Sequence, residues 1–157
     1  VSLREKLEAK QRKRLVVPVQ VSDPSTEHEA YIGAASALKL AHAKEESTPE
    51  YIAQLEKLVV DAGERYRSHF VEVELQSLDR ADWNAAMAKW MGEEHIDWDA
   101  ALAPLLAESC TDEDLQDEQW WAERLAAPEW SEGDVDALKA AILTLNVTSM
   151  EARYPKG

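Results

Sequence analysis

Apolar positions repeat with two different periods along the first half of the chain. Leu15-Val-Val-Pro-Val-Gln-Val21 is β-branched and reads as extended. Pro18 has no N–H to give to a ladder, so this is an edge strand at best. Ser22-Asp23-Pro24-Ser25 follows as a turn. From Glu27 the positions Tyr31, Ala35, Leu38 and His42 fall at steps of 4, 3 and 4, and from Pro49 the positions Ile52, Leu55, Val59, Ala62 and Tyr66 step 3, 4, 3 and 4. Each series puts one apolar seam on a helix. Thr48 offers a side-chain cap, and Pro49 the fixed φ of a first helical residue. The short connection makes the two helices antiparallel. Phe70-Val-Glu-Val-Glu-Leu-Gln76 then alternates, with Val71, Val73 and Leu75 against Glu72, Glu74 and Gln76, the period of a half-buried strand. The hairpin returns the chain to its start, so the two β segments are expected to pair.

The second half switches to short helices. Asp79 or Asp82 can cap a helix whose apolar side is Trp83, Ala86, Met87 and Trp90, with Gly92 expected to end it. Trp98, Ala101, Leu102, Leu105 and Leu106 share a face, but Pro104 lies among them. That predicts either a kink or a new helix with Pro104 in its first turn. Thr111 with Asp114, and Ser131 with Asp134, resemble capping boxes. Ahead of the first strand, Leu3 and Leu7 among charges suggest a short helix or a frayed arm. The expected fold is mainly α with a small β element. A basic arm or helix occupies 1–14, a strand–helical hairpin–strand module 15–76, an acidic, tryptophan-rich bundle of short helices 77–148, and a loose tail 149–157.

Charge changes this picture by excluding partners. The 157 residues carry 17 Lys and Arg against 31 Asp and Glu, a net charge of −14. That excess disfavours nucleic-acid phosphate or anionic lipid as the main ligand. The charge is uneven: residues 1–14 hold six cations (Arg4, Lys6, Lys10, Arg12, Lys13, Arg14) against two carboxylates, whereas residues 93–136 hold fifteen acids and one base, Arg124. The longest apolar run, Ala100 to Ala107, is far shorter than the ~20 residues that span a bilayer, and no cleavable leader opens the sequence. A soluble protein without membrane attachment is expected.

Candidate chemistry adds little. The five glycines form neither GxGxxG nor GxxxxGK[ST]. One cysteine, Cys110, excludes an internal disulfide and a multi-cysteine zinc site, and reads as a plain buried thiol. His28, His42, His69 and His95 are far apart in sequence, and the Glu93–Asp99 cluster lacks calcium-loop or paired-histidine spacing. No cofactor, no metal and no catalytic residue is assigned, and the protein is expected not to be an enzyme. All six tryptophans lie between Trp83 and Trp130. Trp83, Trp90 and Trp98 sit on apolar faces and read as core. Trp120 and Trp121 are adjacent, so on a helix they point ~100° apart and cannot share one seam. Trp120, Trp121 and Trp130 are therefore the candidate partner-binding residues.

The order of segments resembles the tail assembly chaperones of long-tailed phages of actinobacteria. The residues that carry it are the basic opening LREKLEAKQRK, the extended VVPVQVSDP, and VEVELQSLDRADWNAAMAKW after the helical hairpin. WDAALAPLLAESC, the acidic DEDLQDEQWWAERL and the closing WSEGDVDALKAAILTLN complete it. The resemblance covers nearly the whole chain as an arrangement of apolar and charged positions. It implies a non-enzymatic role in the host cell cytoplasm: binding the long, helical tape measure protein until tail tube subunits polymerise around it, with the major tail tube protein as a further contact. A structural head–tail or tail component of the virion is the alternative, and an acidic mimic of nucleic acid the third. In the first of these, apolar and aromatic faces cover the client's seam. The six cations of residues 1–14 are then the candidate self-association residues, attracted to the acidic half of another copy.

Overall fold

A computed structural model of the chain describes residues 1–147. The expected tail over 149–157 lies outside the described residues. Among those residues the chain forms seven α-helices and one two-stranded antiparallel sheet, a mainly α protein with a small β element. The strands are Arg14–Gln20 (β1) and Phe70–Gln76 (β2). The backbone N–H of Val21 donates to the His69 carbonyl at 2.8 Å and that of Ser77 to the Lys13 carbonyl at 2.9 Å. This register sets Leu15 opposite Leu75 and Val17 opposite Val73. Val17, Val19, Val73 and Leu75 are buried while Pro18 is exposed, as a proline in an edge strand must be.

Two compact units divide the chain, Pro18–Val71 and the combination of Val1–Val17 with Glu72 onward. Both boundaries cut a strand, so they differ from the expected 15–76 module, and the basic opening belongs with the acidic half.

The unit Pro18–Val71 is a helical hairpin, Ser25–Ala43 (α2) against Pro49–Arg67 (α3). The Thr48 hydroxyl accepts the Tyr51 N–H at 3.2 Å, as its place before Pro49 requires. His69 clasps the entry to α2, with Nδ1 2.6 Å from the Ser22 hydroxyl and Nε2 3.1 Å from the Glu27 carboxylate. Tyr66 lies against His28, Tyr31 and Phe70, at ring separations of 5.2, 6.4 and 5.2 Å. Gly63 faces this cluster, and a Cβ there would make ordinary van der Waals contact with the Tyr31 ring at 3.5 Å. The seam closes on Ala41 rather than on His42, which is exposed: at this end α2 turns its smaller neighbour inward.

The other unit begins with a six-residue helix, Leu3–Glu8 (α1), started by a Ser2/Glu5 capping box. After β2 come Arg80–Trp90 (α4), Trp98–Ser109 (α5), a 3₁₀ turn at Glu113–Leu115, Glu118–Leu125 (α6) and Glu132–Asn146 (α7). Asp79 caps α4, its carboxylate 3.2 Å from the Ala81 N–H. Gly92 does not end α4 by a left-handed turn, since no glycine among the described residues has a positive φ. It follows the Met91 cap, and its missing side chain lets the His95 carbonyl approach to within 3.0 Å of where a Cβ would be. Helix α5 runs unbroken through Pro104. The carbonyl that a proline leaves unbonded belongs to Ala100, an exposed residue that water reaches. Thr111 does not cap a helix. Its hydroxyl donates to the Glu74 carboxylate at 2.9 Å, and Asp112 and Asp117 cap the turn and α6 instead.

The core of this unit is α5. Ala101, Leu102, Ala103, Pro104, Leu105, Leu106 and Ser109 are all buried, and α4, α6 and α7 pack against it. Leu138, Ile142 and Leu145 of α7 and Leu75 of β2 are also fully enclosed. The Ser131/Asp134 box sets the start of α7, with the Ser131 hydroxyl accepting the Asp134 N–H at 3.2 Å and the Asp134 carboxylate accepting the Ser131 N–H at 2.9 Å. Ser131→Ala is expected to lower stability by about 1 kcal/mol, read as a shift of the urea midpoint without a change in slope.

Candidate partner-binding site

Helix α6 positions the two adjacent tryptophans because the Asp117 carboxylate accepts the Trp120 N–H at 3.0 Å and fixes the first turn. The ~100° step between neighbours then separates them. Trp121 turns inward to 1% exposure, and its indole N–H donates to the Leu115 carbonyl at 2.7 Å. Trp120 turns outward and stays 38% exposed. Trp130 is half-buried after α6. The rings meet edge to face, 5.1 Å between Trp120 and Trp121 and 6.1 Å between Trp121 and Trp130. The three candidate residues are thus one cluster with unequal roles. Trp121 is a core residue and offers no face to a partner; its burial and hydrogen bond explain why. Trp120 presents its ring.

Helices α5, α6 and α7 leave a groove of about 300 Å³ where Trp98, Leu102, Leu125 and Val135 meet the charged Asp99, Glu132 and Lys139. Trp98 is half-buried and faces this opening, so it is not a simple core residue. Sequence periodicity put it on the α5 seam correctly, but the neighbours that leave the seam open come from two other helices.

The six basic residues of the opening segment are all exposed. Three are engaged within the chain: Arg4 with Glu8 at 3.0 Å, Arg12 with Asp79 at 3.6 Å and Arg14 with Glu74 at 3.4 Å. Lys6, Lys10 and Lys13 have no carboxylate within 4.0 Å among the described residues.

Among the described residues no three His, Cys, Asp or Glu side chains come together to hold a metal ion. Cys110 is buried, and its thiol is pushed up to about 11, chiefly by burial, with Asp112 adding to the rise. It stays protonated at neutral pH and is a poor nucleophile. Glu108 lines a shallow niche with Asp82, Lys89 and Trp90. Partial burial, then repulsion from Asp82 and Glu118, holds its carboxyl above the ordinary range.

No protein-family model matches this chain, and no curated protein and no solved structure matches it.

Two outcomes follow. Trp121→Ala should destabilise the protein by roughly 3–5 kcal/mol, while Trp120→Ala should change stability by less than about 1 kcal/mol, both measured by urea denaturation. The raised carboxyl of Glu108 favours the protonated native state, so its contribution falls as pH rises from the unfolded value through the folded one. Glu108→Gln should therefore be more stable than the wild type at pH 7, with the gain vanishing below about pH 4.

Proposed function

We propose that this protein is a non-enzymatic assembly chaperone of a long-tailed phage, and that it covers the apolar stripe of a helical client, the tape measure protein. The observation that carries this reading is the amount of apolar side chain left open on the hairpin unit. Ile32 and Leu40 of α2 and Tyr51 and Leu58 of α3 are exposed by 50, 63, 49 and 51%. On α2, Ile32, Gly33, Ser36, Leu40 and Ala43 lie within about 100° of one another, so three turns present a face without charge, bordered by Lys39. A surface of this kind on a small unit is a docking surface rather than a scatter of single residues. It suits an amphipathic helix, which reads its partner through side chains at helical spacing.

The second support is the exposed indole of Trp120, an amphipathic ring open to a partner. Weak contact by each of many copies along one long client gives reversible cover. The tube subunits can then displace the chaperone.

The test is co-expression with a tape measure protein. The wild-type chain should keep that client soluble and co-purify with it. Ile32→Glu/Leu40→Glu should unfold within about 1 kcal/mol of the wild type, because both sites are exposed, yet lose most of the soluble client. Equal client recovery with this variant, or presence of the protein in mature particles, would refute the proposal.

A further inference from the structure

The hairpin unit exposes apolar side chains; the other unit has a feature of opposite character. A groove of about 380 Å³ opens where residues 10–13 pass the start of α4 and the end of α7. Its lining includes Lys10, Arg12, Lys13 and Arg80 together with Trp83 and Asn146. The frame is held by hydrogen bonds. The Ser77 N–H donates to the Lys13 carbonyl at 2.9 Å, the Leu78 N–H donates to the Asn146 side-chain carbonyl at 2.9 Å, and the Asn146 amide donates to the Ile142 carbonyl at 2.8 Å.

The charge in this groove is poorly balanced. Arg12 is 3.6 Å from Asp79, but Lys10, Lys13 and Arg80 have no carboxylate within 4.0 Å among the described residues. Four cations therefore gather around an indole in a chain of net charge −14. Like charges so placed repel one another until an anion joins them.

The complementary feature is the turn between α5 and α6. Asp112, Glu113, Asp114, Asp117 and Glu118 are exposed, with no cation within 4.0 Å among the described residues. Asp112 and Asp117 each use an oxygen as a helix cap. Glu113, Asp114 and Glu118 keep their carboxylates free for a partner. This turn is directed away from the groove of its own chain. Cys110 pairs antiparallel with Leu75 and the Thr111 N–H bonds the Glu74 carbonyl, so the chain departs toward Val73 and not toward Ser77.

We propose that the groove receives the Asp112–Glu118 turn of a second copy of this chain. Carboxylates of the turn meet Lys10, Lys13 and Arg80. Because the groove and the turn are different surfaces, the contact is head to tail and each pair keeps one groove and one turn free, so copies add in series. The attraction is electrostatic and acts over about 8 Å at physiological salt, so the series shortens as salt rises. This inference does not depend on the identity of the client.

The experiment is sedimentation of the full-length chain at low and high salt, with two variants. Lys10→Gln/Lys13→Gln/Arg80→Gln empties the groove of charge, and Glu113→Gln/Asp114→Asn/Glu118→Gln neutralises the turn. All six positions are exposed, and near-ultraviolet dichroism confirms that each variant keeps its fold. The wild type should grow in mass with concentration at low salt and return to monomer at high salt. Each variant alone should remain monomeric. An equimolar mixture should stop at twice the monomer mass, because only one groove and one turn remain in the pair. A wild type that stays monomeric at every concentration, variants that associate as it does, or a mixture that forms no dimer would overturn the proposal. So would a groove that binds a single-stranded oligonucleotide more tightly than it binds a peptide of residues 111–119.

Discussion

Helix α5 buries six consecutive residues at its centre, and most of the larger unit follows from that. Ala101 to Leu106 are buried without a break, so neighbours must cover the helix in every direction. Helices α4, α6 and α7 and the inward residue Leu75 supply the cover. Because these covering helices are short, the unit has many helix starts, and each start leaves N–H groups without partners. Asp79, Asp97, Asp112 and Asp117 satisfy them. Part of the acidity of this half is thus the chemistry of beginning a helix many times. The remaining carboxylates lie on exposed positions because the interior has no place for charge.

Much of this architecture was legible from periodicity. The two strands, both helices of the hairpin, the Thr48 and Ser131 caps and the helix after Asp79 are where apolar spacing and capping residues put them. What spacing does not carry is the choice between partners for one side chain. Thr111 has the right neighbour for a capping box, yet a strand passes within reach and Glu74 takes its hydroxyl. Pro104 predicts a kink or a new helix start, yet the carbonyl it frees belongs to exposed Ala100 in the first turn, and α5 runs on. His42 continues a seam by count, yet a small alanine next to it fits the closing end of the hairpin better.

The candidate sites were legible to a lesser degree, for a related reason. Adjacent tryptophans told that one ring had to leave the seam of α6, but not which one. That is decided by the Leu115 carbonyl, which gives the Trp121 indole a buried acceptor. The α5–α6–α7 groove and the basic groove are each assembled from three separate stretches of sequence. No single stretch carries their signature. The open apolar residues of the hairpin were visible as hydrophobic letters, but their exposure is set by how little α2 and α3 enclose, chiefly Ala41, Leu55, Ala62 and Gly63.

The placement of aromatic residues makes the molecule two spectroscopic objects. Every tryptophan belongs to the unit that contains α5, and the hairpin unit has Tyr31, Tyr51, Tyr66 and Phe70 instead. Indole emission therefore watches one unit and is blind to the other. Loosening of the hairpin would be dark in that channel while backbone dichroism, to which its two nineteen-residue helices contribute, would register it at once.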